Sequence, residues 1–173
     1  MNYFKLLNLP ESYSLDKNVL AQRYELLQRM THPDKFASAS EQEKSVYLQK
    51  NADVNEAERV LSSDVMRGEH LLDVRGAELA SDQDTISDSD FLTQQMDLRE
   101  RLASASNEAE IEALNRDIGE LRADYVDRII MRMNANNSDG NRKAAIELNK
   151  LKFVIKLSEE VKQRKRSLLN ADK

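Results

Sequence analysis

The sequence contains no cysteine and no tryptophan, and its 173 residues include only four glycines and two prolines. The lack of cysteine excludes disulfides, thiolate zinc sites and cysteine nucleophiles. Aromatic residues make up 5% of the chain and charged residues 33%. Because helix formers dominate while β-branched and aromatic residues are sparse and irregularly placed, the composition predicts an all-α fold.

Long hydrophobic runs are also missing. No window approaches the roughly 18 apolar residues of a membrane span, and no apolar signal-peptide core follows Met1. The formal charge of -5 argues against binding of nucleic acid along the whole chain. The basic run KQRKR, residues 162–166, lacks interleaved aromatics and fits a solvated helix end. We therefore expect a cytoplasmic protein with neither a membrane nor a nucleic-acid partner.

The N-terminal part of the sequence predicts two amphipathic helices over residues 16–31 and 41–61. Asp16 can cap the first helix, and Ser40 with Glu43 forms a capping box for the second. Their apolar residues recur at helical spacing: Leu20, Tyr24 and Leu27, then Tyr47, Val54, Ala57 and Leu61. Two short apolar segments flank this antiparallel pair at 3–9 and 65–74, which predicts a small domain over residues 1–75.

Residues 76–87 are polar and acidic without helical periodicity, so we interpret them as a linker. Ser87 and Asp90 indicate the start of a second domain, residues 88–173. Helices are predicted from residue 90, from about 111 to 125, and from about 142 to 169, with breaks at 104–107 and 134–141. Apolar residues close to every seventh position favour a three-helix bundle.

A His-Pro-Asp tripeptide separates the first two helices. Because Pro33 has no N–H and disfavours helical backbone before it, it ends the helix and displays His32 and Asp34 on a rigid turn. With Arg29 and Lys35 nearby, Asp34 could pair with an arginine of a partner protein. Two alternatives are an ordinary proline-terminated helix and a catalytic dyad. The dyad would need a nucleophile or a metal site that converges on His32.

The tripeptide between two antiparallel helices, with VNEAERVL at residues 54–61, resembles a J domain, the activator module of DnaK-type ATPase chaperones. The resemblance implies that His32, Pro33 and Asp34 engage the chaperone and stimulate its ATP hydrolysis, so this chain has no catalytic residues of its own. It also places Arg23, Arg29 and Lys35 in the chaperone-binding surface. Many J domains have a more basic second helix, so a dedicated chaperone partner is expected here.

The resemblance extends to the HscB family of iron-sulfur cluster assembly. The segments that carry it are YFKLLNLP at the start, HPDKFAS, MRGEHLL at residues 66–72 and DFLTQQMDLRERL at residues 90–102. This family joins a J domain to a three-helix bundle, which delivers the cluster scaffold protein to the specialised chaperone HscA. The resemblance implies both partners. No metal site and no cofactor is expected in this chain.

The helix from residue 90 carries a second candidate surface. Phe91, Leu98 and Leu102 form its core stripe, whereas Leu92 and Met96 lie off that stripe and are candidates for exposed apolar residues. The resemblance implies scaffold contacts at Leu92, Met96, Asp97 and Glu100, with Phe153 nearby. The alternative is that Leu92 and Met96 pack against another part of the same protein.

Two other functions stay open on the residues alone. One is a J-domain adaptor for another client in protein folding or complex assembly. The other is a structural helical oligomer in which the tripeptide only stops a helix.

Overall fold

The computed structural model describes residues 1–171, and within that range the chain is helical and contains no strand. The predicted all-α fold is confirmed. The helices are α1 (Tyr3–Leu6), α2 (Lys17–Thr31), α3 (Glu41–Ser62), α4 (Asp64–Val74), α5 (Asp82–Ile86), α6 (Ser89–Ser104), α7 (Glu108–Asn134) and α8 (Ser138–Ala171), with a 3-10 turn at Pro33–Phe36. The chain divides into two compact units, Met1–Gly76 and the residues from Ala77 onward.

The first unit is built on the antiparallel pair α2 and α3. Asp16 caps α2 by accepting the Asn18 and Val19 N–H groups, and Ser40 with Glu43 forms the capping box of α3. The shorter α1 and α4 pack on α3. The fully buried side chains of this unit come from all three of these helices and the segment after α1: Phe4, Leu7, Ala57, Leu61, Leu71 and Leu72.

Arg67 of α4 is an unexpected core residue of this unit. Its buried guanidinium donates to the Tyr13 carbonyl at 2.7 Å and the Leu61 carbonyl at 2.9 Å, and it pairs with Asp64 at 3.0 Å. Because Arg67 joins three separate parts of the chain, it fixes α4 against the loop after α1 and the end of α3.

In the second unit, α6, α7 and α8 form the bundle. Apolar residues of α7 and α8 supply most of its core: Ile111, Leu114, Ile118, Tyr125, Ile129, Met133, Ala144, Leu148, Leu151, Val154, Leu157 and Val161. The burial of both Leu151 and Leu157 shows that α8 packs on more than one side. Its contacts extend to α5, α6 and α7.

The sequence predicts a linker at residues 76–87, but the second half of this stretch contains a helix. Residues Asp82–Ile86 form α5, capped by Ser81, and the side chain of Thr85 is buried. The Asn149 amide of α8 donates to the carbonyls of Ala80 and Ser81 at 3.1 Å each. This segment has few apolar residues, and hydrogen bonds from the Asn149 side chain hold it to α8. Because these contacts are polar, the sequence shows no hydrophobic periodicity here.

Two helix starts also differ from the prediction. Asp88, rather than Ser87, caps α6 by accepting the Phe91 N–H at 3.0 Å. The predicted turn at 134–141 is shorter, because α8 begins at Ser138 and Asn137 accepts the Gly140 N–H at 2.7 Å. A Cβ on Gly140 would lie 2.5 Å from the Arg132 carbonyl oxygen, so this glycine allows the close approach of α7 and α8.

Candidate functional site

The tripeptide turn lies where α2 stops and α3 has not yet begun. His32 follows the last residue of α2, and Pro33 opens the 3-10 turn. The His32 Nδ1 atom accepts the Asp34 N–H at 3.3 Å and lies 3.6 Å from the Asp34 carboxylate. The two side chains are 43% and 91% exposed. The turn therefore has a locally defined shape and presents an imidazole and a carboxylate to solvent.

An aromatic contact holds the far side of the turn. The rings of Phe36 and Tyr47 stack with their centroids 3.4 Å apart and their planes 7° from parallel, and the Lys50 ammonium lies 5.4 Å from the centre of the Tyr47 ring. Beside this stack is an open depression of about 310 Å³, lined by Pro33, Phe36, Glu41, Lys44, Ser45 and Leu48. The turn is thus anchored to α3 by a contact that the apolar spacing of the sequence does not predict.

The three basic residues predicted for this surface differ in their surroundings. Arg29 and Lys35 are exposed and flank the turn in sequence, and Arg29 forms an ion pair with Glu25 one turn earlier on α2. Arg23 is half-buried. Since six residues of an α-helix rotate by about 240°, Arg23 and Arg29 do not share a face of α2. Positive charge around the turn is therefore spread out.

The second candidate surface lies on α6. Leu92 is 37% exposed and Met96 72% exposed, whereas Phe91 and Leu98 of the same helix are 4% and 6% exposed. Asp97 and Glu100 are exposed on the same helix. The Thr93 hydroxyl donates to the Ser89 carbonyl at 2.9 Å. The helix α6 therefore exposes two apolar side chains and two carboxylates, while its other side is buried in the core.

The burial of three residues near this surface is not the burial that the apolar spacing of the sequence predicts. Leu102 is half-buried rather than fully in the core. Gln95 is buried at 6% exposure and completes the spacing from Phe91 to Leu98, which its polar side chain concealed. Phe153 of α8 is half-buried and meets the Phe91 ring edge-on, with centroids 5.8 Å apart. Phe153 therefore packs against Phe91 of α6, and part of its side chain is accessible to solvent.

The side chains of His70 and of the basic run at residues 162–166 make contacts within the protein. His70 Nε2 accepts the Tyr3 N–H at 3.0 Å, its ring stacks on that of Tyr3, and burial lowers the pKa of His70. In the run at 162–166, Arg164 donates to the Ala105 carbonyl at 3.1 Å and Lys165 lies 3.5 Å from Glu112. The last part of α8 is thus fixed to the turn before α7 and to α7 itself.

Nothing in residues 1–171 resembles a metal centre, since no group of three or more His, Asp or Glu side chains converges there. No helix in this range is long and apolar enough to cross a membrane.

Comparisons with known proteins agree with this architecture. The family described as "HSCB C-terminal oligomerisation domain" matches residues 87–162. The chain is 42% identical over 166 residues to the co-chaperone protein HscB homolog of Pseudoalteromonas atlantica, covering 93% of this chain and 94% of that protein.

Two solved structures are similar over most of the chain. The chaperone HscB from Vibrio cholerae is 32% identical, with a TM-score of 0.85 over 97% of this chain and 99% of that one. The human co-chaperone protein HscB is 28% identical, with a TM-score of 0.88 over 95% of this chain and 82% of that one.

An exposed His-Pro-Asp turn between paired helices, followed in the same chain by a helical bundle, defines a J-domain co-chaperone. The chain belongs to the HscB family of co-chaperones. It acts in iron-sulfur cluster assembly with the DnaK-type chaperone HscA and the cluster scaffold protein.

Proposed function

We propose that the two surfaces divide the co-chaperone's work. His32, Pro33 and Asp34, with Arg23, Arg29 and Lys35 around them, bind HscA and stimulate its ATP hydrolysis. Leu92, Met96, Asp97 and Glu100, supported by Phe153, bind the scaffold. The chain itself catalyses no reaction and acts in the cytoplasm.

The observation that carries the chaperone half of the proposal is the exposure of His32 and Asp34 on a turn that is held in shape. A 91% exposed carboxylate has most of its hydrogen-bonding capacity free for an arginine of the partner. A turn that is already ordered loses less conformational entropy on binding than a flexible loop. Both features favour specific recognition by one chaperone.

The scaffold half rests on the contrast within α6. Leu92 and Met96 are exposed although their neighbours Phe91 and Leu98 are buried. Exposed apolar side chains with a charged rim are typical of modest protein interfaces. Asp97 and Glu100 supply such a rim, and they would favour a scaffold whose docking surface is positively charged.

The substitution His32→Gln tests the chaperone half. It should abolish stimulation of HscA while scaffold affinity and the melting temperature stay unchanged, because an exposed turn residue affects stability by only about 0.5 kcal/mol. Single-turnover ATP hydrolysis and calorimetric scaffold titration measure the two activities. Ser62→Ala, at the opposite end of α3, is the control.

Stimulation by His32→Gln equal to that of the unchanged protein would contradict the assignment of the turn. Stimulation without any scaffold binding by the unchanged protein would instead favour a J-domain adaptor for another client.

A further inference from the structure

A chain of three hydrogen bonds between side chains joins α2 to α3 and ends at Thr31, the residue before His32, whose hydroxyl makes a fourth bond within α2. The Tyr24 hydroxyl donates to Asn55 Oδ1 at 3.0 Å, and Asn55 Nδ2 donates to Asn51 Oδ1 at 3.2 Å. Asn51 Nδ2 then donates to Thr31 Oγ1 at 3.1 Å, and the Thr31 hydroxyl donates to the Leu27 carbonyl at 2.8 Å. Each amide uses its oxygen as acceptor and its nitrogen as donor. We call these four side chains the Thr31 relay.

The spacing of the relay residues puts them on facing stripes. Asn51 and Asn55 are four residues apart on α3, and Tyr24 and Thr31 are seven apart on α2, so each pair lies on one side of its helix. Tyr47, which stacks on Phe36, lies one turn before Asn51 on the same stripe. One side of α3 therefore contacts the chain both just before His32 and just after Asp34.

The position of Thr31 gives the relay its leverage on the turn. Thr31 is the last residue of α2, and it is buried although it adjoins the exposed tripeptide. Rotation of Thr31 away from Asn51 would leave the Asn51 amide without its acceptor and the buried Thr31 hydroxyl with only its bond to the Leu27 carbonyl, so such rotation is unfavourable. Apolar contacts alone would hold the helices together but tolerate such rotation, because they are not directional. The directional bond fixes where α2 ends and hence where His32 begins.

We infer that the Thr31 relay, together with the Phe36 and Tyr47 stack, positions the His-Pro-Asp turn for the chaperone. The inference rests on the proposed role of the turn. Thr31, Asn51, Asn55 and Tyr24 are positioning residues: they act through the backbone of the turn and not through contact with the partner. Removal of the Thr31 hydroxyl loosens the turn, so the encounter with HscA must order it again.

The variants for the test are matched pairs in the full chain. Thr31→Val removes the hydroxyl and keeps the branched shape, whereas Thr31→Ser restores the hydroxyl. Gln49→Ala is the control, because Gln49 donates to Asp53 within α3 at 2.9 Å and does not join α2. Thermal melts of all three variants establish that each is folded at the assay temperature.

Two readouts separate positioning from general stability. The concentration of Thr31→Val needed for half-maximal stimulation of HscA should rise about fivefold, with maximal stimulation retained, because preorganisation acts on binding. The Asp34 amide, which donates to His32 Nδ1, should exchange its hydrogen severalfold faster in Thr31→Val. Thr31→Ser and Gln49→Ala should match the unchanged protein in both measurements.

An unchanged rate of Asp34 amide exchange in Thr31→Val would overturn the inference. It would also be overturned if Thr31→Ser or Gln49→Ala changed the exchange rate and the half-maximal concentration as much as Thr31→Val does. The exchange measurement needs no chaperone. If His32→Gln were to keep full stimulation, the proposed role of the turn would fail, and Asp34 exchange would still decide whether the relay orders the turn.

Discussion

The charge state of His70 is tied to the attachment of α1. Its Nε2 atom accepts the Tyr3 N–H, so the neutral ring must carry its proton on Nδ1. Burial lowers the pKa of His70, against the opposing effect of the Asp73 carboxylate, while the N-terminal amine lowers it further. Protonation would put a donor where the Tyr3 amide needs an acceptor.

The first unit should therefore lose stability in mildly acidic solution. Below the ordinary histidine pKa of 6.5, the unfolded chain takes up a proton that folded His70 resists, so the free energy of unfolding falls as pH decreases through this range. Amide exchange at Tyr3, corrected for intrinsic rates, measures the effect. His70→Gln keeps an acceptor that does not titrate, and it should remove the pH dependence. Equal dependence in both proteins would show that another group is responsible.

Asp34 gives a second prediction at the residue scale. Asp34→Asn keeps the size of the side chain and removes its charge, so it should raise the concentration needed for half-maximal HscA stimulation if the carboxylate pairs with an arginine. Loss of one partner of a buried interfacial charge pair costs about 2 to 5 kcal/mol, and of a rim pair much less. ATP hydrolysis at sub-saturating co-chaperone measures this; activity equal to that of the unchanged protein would exclude the charge pair.

At the scale of elements, the start of α6 is fixed to α8 by a charge pair. Asp88 caps α6, and its carboxylate lies 2.6 Å from the Lys150 ammonium, whose side chain is only 12% exposed. Lys150 also lies 5.7 Å from the centre of the Phe91 ring. The pKa of Asp88 is lowered mainly by the hydrogen bond from Lys150 and, to a smaller extent, by the hydrogen bond from the Phe91 N–H. The helix that carries Leu92 is thus anchored at its first turn.

Lys150→Met should therefore destabilise the second unit by about 1 to 2 kcal/mol, because it removes a charge-assisted bond from a partly buried site. The lowered pKa means that the stabilisation by Asp88 is present above its ordinary pKa of 3.8 and is lost as pH falls through the folded value. Thermal melts from about pH 3 to about pH 7 test both points. Lys156→Met, an exposed lysine of the same helix, is the control; equal losses in both variants would contradict the role of the pair.

The sequence predicted those elements whose apolar residues recur at helical spacing. The paired helices α2 and α3 and the long α7 are confirmed, since Leu20, Val54 and Ile118 mark their buried sides. Docking through polar groups escaped prediction: Asn149 holds the chain before α5, and Gln95 completes a stripe of α6. A polar residue gives no hydrophobic signal even when it is buried.

The same physical limit applies to the candidate site. The exposure of Leu92 and Met96 followed from their angular offset on α6, which periodicity measures directly. The bond between Asn51 and Thr31 could not be predicted, because it joins residues 20 positions apart on different helices. Which amide side chain faces which hydroxyl depends on the rotation of each helix, and apolar spacing fixes that rotation only coarsely.

At the scale of the whole molecule, the proposed function places two separable activities in one chain. The tripeptide turn belongs to the unit Met1–Gly76, whereas Leu92 and Met96 belong to the unit that starts at Ala77. Since each unit has its own buried core, damage to the surface of one should leave the activity of the other intact.

The most direct measurement is a calorimetric titration of an iron-sulfur scaffold protein with the double variant Leu92→Ala, Met96→Ala. Loss of two interface anchors should cost about 2 to 4 kcal/mol, or roughly thirtyfold to a thousandfold in affinity. The melting temperature and HscA stimulation without scaffold should stay close to those of the unchanged protein. Met131→Ala, an exposed methionine of α7 at 66% exposure, is the control and should bind normally. Unchanged scaffold affinity in the double variant, or a collapsed melt, would contradict the account.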